Sequence, residues 1–289
     1  MRWRPGGVSD DVEDRREEGG GLLAGRGVHV GVGGAVVLLV LSVIFKTDLF
    51  ALVGAGTTGP ATGPVAARGA PPRAPSPEEE RRVQFVSFVL DDLQTSWEKE
   101  FARTGKSYPH AKLVLFREET RSGCGGAEAA SGPFYCPADG KVYVDLSFYD
   151  ELRDRSGAPG DFAEAYVIAH EIGHHVQSLL GVEGQVRRMQ EEYPDRRNAL
   201  SVVLELQADC LAGVWAHSTA QRQLLESGDV ESGVAAASAV GDDRLQRLAQ
   251  GRVAPETWTH GSSAQRVQWF RRGLASGRVT DCDTFRAAH

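Results

Sequence analysis

The chain has 289 residues, a formal net charge of −7, 41% hydrophobic and 25% charged side chains. That balance suits a folded domain and excludes a disordered, collagen-like or strongly basic chain. Its 32 basic residues are scattered rather than interleaved with aromatics in a stripe, so nucleic acid is not an expected partner.

Residues 1–27 are polar and mix five arginines with six acidic residues. Residues 28–45 are apolar apart from His29 and Ser42. At helical rise they span about 27 Å, just enough for one crossing of a bilayer. The spacing therefore predicts one transmembrane helix within 28–50. Arginines precede it and only Lys46 follows closely, so the positive-inside rule puts 1–27 in the cytoplasm and the rest outside. A cleaved signal ending at Val53-Gly54-Ala55 is the rival; the long, partly acidic leader argues against it. Residues 51–77, rich in Gly, Pro and Thr, read as a flexible linker, leaving an extracytoplasmic domain at 78–289.

Within that domain, Pro77 to Phe101 reads as a helix and Leu113 to Phe116 as a short buried strand. Lys141 to Leu146 alternates like a second strand. Asp161 and Glu164 resemble a capping box, and the apolar periodicity that follows predicts a helix at 162–180, stopped by Gly181. A further helical run opens at Pro194-Asp195, and shorter helices are expected at 219–227, 229–250 and 263–275. The fold class is α+β and mostly helical.

The helix at 162–180 carries His170-Glu171-Ile172-Gly173-His174, the H-E-x-x-H pattern. Histidines four apart share one helical face and can address one ion, with Glu171 beside it as general base. Gly173 weakens the helix and so points to close packing by another element. A firmly held zinc needs a third protein ligand. Glu205 and Asp209, four apart on an otherwise apolar helix, supply a carboxylate face. Glu205 reads as that third ligand, with Asp209 orienting a ligand histidine. Mn²⁺ or Co²⁺ could occupy the same donor set.

These segments, together with Met1-Arg2-Trp3-Arg4, Phe134-Tyr135-Cys136-Pro137 and Thr259-His260-Gly261-Ser262-Ser263-Ala264-Gln265-Arg266, resemble the bacterial neutral zinc metallopeptidases of the YpfJ-like family. H-E-x-x-H followed by E-x-x-x-D is also similar to the gluzincin pattern. The resemblance implies a zincin-like metallopeptidase domain with one Zn²⁺ per chain on His170, His174 and Glu205, and Glu171 as base. It also implies that a strand beside the active helix, here 141–146, offers its edge to an extended peptide.

All four cysteines lie in the outer portion. Cys124 and Cys136 flank a Gly-rich loop, and Cys210 with Cys282 would then tie the ligand helix to the C-terminal tail; this is one of three pairings. His260, Tyr143 and Tyr166 are the donors considered for the transition state, and His175 reads as structural. The expected function is a membrane-anchored zinc endopeptidase acting on peptide or protein substrates. The alternatives are a tethered interaction module with structural zinc and a zinc amidase acting on cell-wall peptide.

Overall fold

The computed structural model describes residues 1–17, 75–128, 132–156 and 160–286. The expected membrane helix at 28–50 and the linker lie outside them, apart from residues 75–77. Helix α1 (Pro77–Arg103) starts as its sequence dictates. Ser76 caps it by accepting from the Glu79 amide at 3.1 Å, Pro77 opens the first turn, and Glu78, Glu79 and Glu80 sit at the positive end of the helix dipole. Its buried stripe, with Val86, Val89, Leu90, Leu93 and Trp97, faces the core.

A four-stranded sheet has the order β1–β2–β6–β5, from β1 (Val12–Asp14), β2 (Lys112–Phe116), β6 (Lys141–Asp145) and β5 (Phe134–Cys136). The first three run parallel, and β5 is antiparallel to β6. β3 (Glu119–Ser122) and β4 (Gly125–Glu128) form a separate hairpin. Two expectations change here. The strand at 141–145 is interior, hydrogen-bonded on both sides, so its edge is not free for a substrate. The outer strand on that side is β5, in the Cys124–Cys136 segment where the sequence predicts a loop. Residues 1–17, expected to stand apart from the domain, instead supply β1 in register with β2, Val12 opposite Leu113 and Asp14 opposite Leu115.

The remaining chain is helical: α2 (Ser147–Ser156), α3 (Asp161–Leu179), α4 (Val182–Glu192), α5 (Arg197–Gln221), α6 (Asp229–Ala239), α7 (Asp242–Gln250) and α8 (Ser263–Ser276). The helix expected at 219–227 is absent, because α5 runs on to Gln221 and a turn follows. The helix expected at 229–250 is broken at Gly241, which lies against Ser263 so closely that an added Cβ would stand 2.4 Å from its amide nitrogen. Helices α5 and α8 also meet at backbone distance: a Cβ on Gly273 would stand 1.9 Å from the Cys210 carbonyl oxygen. Disulfides join Cys124 to Cys136 and Cys210 to Cys282, the pairing preferred from sequence. Among the described residues one helical stretch, Pro194–Gln221, is long and apolar enough to cross a membrane, but 67% of its apolar window is buried inside the protein, as befits a core helix.

Candidate metal centre

Helix α3 delivers the two motif histidines and α5 the carboxylate. What lets the helices approach is Gly173: a Cβ there would meet the Ala208 carbonyl oxygen at 3.1 Å. This is the close packing that a glycine within the motif predicted. The His170 Nε2 lies 3.1 Å from Glu205 Oε2, and the His174 Nε2 lies 3.5 Å from Glu205 Oε1. One ligand atom from each of the three residues falls within 4.8 Å of the others. Tetrahedral zinc with bonds of about 2.1 Å separates its ligand atoms by roughly 3.4 Å, so the donor set fits that ion in both chemistry and spacing.

Each histidine is held from behind by a different kind of group. His170 Nδ1 donates to Asp209 Oδ1 at 2.9 Å, and His174 Nδ1 donates to Gln177 Oε1 at 2.9 Å. Both bonds leave Nε2 as the ligating atom. Gln177 is fixed in turn by donating to the Leu204 carbonyl at 2.7 Å and to Gln207 Oε1 at 3.0 Å. Asp209 is fully buried. It accepts from Arg266 Nε at 2.8 Å, from Arg266 Nη2 at 2.9 Å and from the Tyr166 hydroxyl.

The electrostatics follow from this packing. Burial opposes charge on Asp209, yet the Arg266 guanidinium and His170 hold its carboxyl below the usual range. Burial likewise opposes charge on Glu205, but the His174 and His170 imidazoles keep it well below the ordinary value. Burial works against the His170 cation too, and Asp209 outweighs it, bringing that imidazole to about 10. The imidazoles and the carboxylate favour a positive charge between them, and a metal ion would compete with the proton for the same nitrogen lone pairs.

Glu171 is buried within the protein and lines a cleft of about 520 Å³ together with His170, His174 and Glu205. One wall of the cleft is β5, with Phe134 and Tyr135; Phe148 and Val167 add apolar surface. His260 reaches the same cleft and is half exposed. Its Nδ1 lies 3.2 Å from Asp242 Oδ1 and 3.0 Å from the Thr259 hydroxyl oxygen. Asp242 also accepts from the amides of Thr259, His260 and Gly261 at 2.8, 2.7 and 3.0 Å, pinning the loop that carries His260. The hydrogen bond to Asp242 raises the His260 pKa.

The other donor candidates are committed elsewhere. The Tyr166 hydroxyl donates to Asp209. Tyr143 donates to Asp139 at 2.7 Å and packs with Val114, Phe116 and Cys136, away from the cleft. His175 donates from Nε2 to the Pro109 carbonyl at 2.8 Å and accepts at Nδ1 from the Tyr135 hydroxyl at 3.2 Å, so it braces β5 rather than joining the ligands. Sequence reading missed Arg266, Gln177 and Asp242. Arg266 had a legible signal: it is three and four residues before Trp269 and Phe270, which marks it as a cation on an apolar helix face.

A family model described as "Putative neutral zinc metallopeptidase" matches residues 1–285. An uncharacterized protein of Escherichia coli K12, YpfJ, is 48% identical over 289 residues, covering 99% of each chain. Uncharacterized proteins of Mycobacterium tuberculosis H37Rv and Mycobacterium bovis are each 46% identical over 195 residues, covering 64% of this chain and 64% of theirs. No solved structure matches.

Proposed function

Because this chain belongs to the neutral zinc metallopeptidase family, we propose that it is a zinc-dependent endopeptidase whose centre is His170, His174 and Glu205 with Glu171 as general base. One observation carries the reading. Three ligand atoms converge at zinc spacing, and a buried carboxylate stands beside them in a cleft bordered by an outer β-strand. When bound, zinc supplies a Lewis acid that acidifies a water and polarises the scissile carbonyl. The protein's own groups do the rest. Asp209 and Gln177 hold the imidazoles in the ligating tautomer. Glu171 accepts the proton of the attacking water and returns it to the leaving amine. His260, aimed by Asp242, donates to the developing oxyanion. An extended peptide adds alongside β5, with apolar side chains against Phe134, Tyr135 and Phe148.

The structural-zinc alternative requires a fourth protein ligand. Asp209 is taken up by Arg266, Tyr166 and His170, and His175 by Pro109 and Tyr135. An amidase would use the same chemistry on a different substrate, and the cleft lining favours apolar peptide side chains. The two disulfides support an oxidising, extracytoplasmic compartment, and the apolar stretch at 28–45 supports membrane association.

The test is zinc content and casein cleavage by the full chain, wild type beside Glu171→Gln. One zinc in each with cleavage only in wild type is the expected result. Equal cleavage by both would remove Glu171 from the mechanism, and absence of zinc from both would remove the centre.

A further inference from the structure

The first seventeen residues are bound to the domain at both ends, through residues 1–3 and 9–16, with residues 4–8 exposed between them. The Arg2 amide donates to the Leu224 carbonyl at 2.7 Å. The Trp3 indole nitrogen donates to Asp161 Oδ2 at 2.8 Å, and its ring rests on Phe85 with centroids 5.2 Å apart. The Arg81 guanidinium lies 5.3 Å from the same ring. Ser9 donates to Asp91, and Lys112 and Lys141 reach back to Asp11 and Glu13 at 2.8 and 2.7 Å. The Arg15 amide continues the ladder by donating to the Leu115 carbonyl at 2.8 Å.

The contacts at the end of this segment are equally informative. Arg16, only 5% exposed, bridges Asp14 to Glu79 and Glu80 in the first turn of α1, at 2.6, 3.2 and 3.0 Å. These ion pairs hold residue 16 beside the start of α1. Adjacent strands of a ladder lie about 4.8 Å apart, whereas one crossing of a membrane separates its flanks by a hydrocarbon layer of about 30 Å. Both cannot hold for the two ends of residues 18–74. A return crossing would need a second apolar stretch of about 20 residues. The sequence from 18 to 74 contains one, at 28–45.

We propose that residues 1–17 lie on the same side of the membrane as the catalytic domain, as its outer strand and as a brace on the first turn of α3. Residues 17 and 75 then lie on one side of the membrane, which the expected single crossing between them does not allow. The charge pattern agrees. Arg15 and Arg16, counted earlier as cytoplasmic markers, are ion-paired within the fold, to Glu13 at 2.6 Å and to Asp14 and the start of α1. They are spoken for as structural cations, which removes much of the orientation signal of the leader.

The test uses the full chain in its native membrane with one added cysteine at a time, the four native cysteines being held in disulfides. Gly6→Cys reports the N-terminal segment, where a new side chain meets nothing within 4 Å. Lys106→Cys reports an exposed loop of the domain. Each is treated with a membrane-impermeant maleimide in intact spheroplasts and again after lysis. The proposal expects both positions to label in the same preparation, both before lysis or both only after it. One position labelling in intact spheroplasts and the other only after lysis would overturn it and restore the single crossing. Neither readout depends on peptidase activity, so the result stands whether or not casein is cleaved.

Discussion

Helix α3 meets one buried carboxylate at its middle and carries another in its first turn, and the two are resolved in opposite ways. Toward its C-terminal half, Asp209 sits against His170 with a complete set of partners, two nitrogens of Arg266 and the Tyr166 hydroxyl. Its carboxyl stays below the ordinary range although no part of it reaches water. At the N-terminal end, Glu164 is mostly buried with Arg82 at 3.4 Å as its counter-charge, a cation it shares with Asp150. Burial dominates there and lifts Glu164 to about 7. A buried acid is held ionised by the completeness of its hydrogen bonds and counter-charge. The metal end therefore keeps its charge pattern across neutral pH, while the far end of the same helix titrates within it.

The sharpest way to break the contrast is Arg266→Met, which leaves Asp209 buried without its guanidinium counter-charge. We expect a loss of about 3–5 kcal/mol of stability and a large fall in zinc affinity, read by urea unfolding and metal titration. Wild-type stability here would mean that Asp209 draws its charge balance from elsewhere.

Glu164→Gln acts on the other end, and its sign depends on pH. The folded-state pKa of about 7 lies above the ordinary 4.5. The contribution of this group thus favours the fold below that ordinary value and is lost as pH rises through 7. Compared with Glu164→Gln, wild type should lose up to about 3 kcal/mol between about pH 5 and about pH 8, with less if Arg82 adjusts. Parallel unfolding curves for the two proteins at both pH values would show that Glu164 is not perturbed.

Gln177→Ala tests whether a neutral brace matters as a charged one does. It frees the His174 ring while keeping every ligand, and a fall of about tenfold in zinc affinity is expected, with the fold retained. Trp3→Ala acts on stability and leaves the metal centre untouched. Loss of the bond to Asp161 and of the contact with Phe85 should cost on the order of 2–3 kcal/mol, seen as a lowered Tm of the full chain. An unchanged Tm would show that the N-terminal segment does not brace α3.

Local patterns in the chain were legible wherever a feature is set by neighbours a few residues away. The boundaries of α1 and α3, the stop at Gly181 and the strand at 141–145 follow from caps, periodicity and alternation. The expected capping box at Asp161 and Glu164 did not form. Gly160 holds the cap position without a side-chain bond, and Asp161 turns to Trp3 instead. That exchange needed a partner 158 residues away.

By itself, then, the sequence picked out the residues on which the proposed centre rests, His170, Glu171, His174, Glu205 and Asp209, and the structure brings them together. The fixed rise and turn of a helix convert spacing directly into a shared face. It also contained the cysteine pairs, without deciding among their pairings. The tertiary structure alone decided that β5 and not β6 borders the cleft, that Arg266 completes the charge of Asp209, and that residues 1–17 belong to the sheet. Each of those facts joins segments tens of residues apart. Such contacts are selected by packing and by the pairing of buried polar groups, which no local periodicity records.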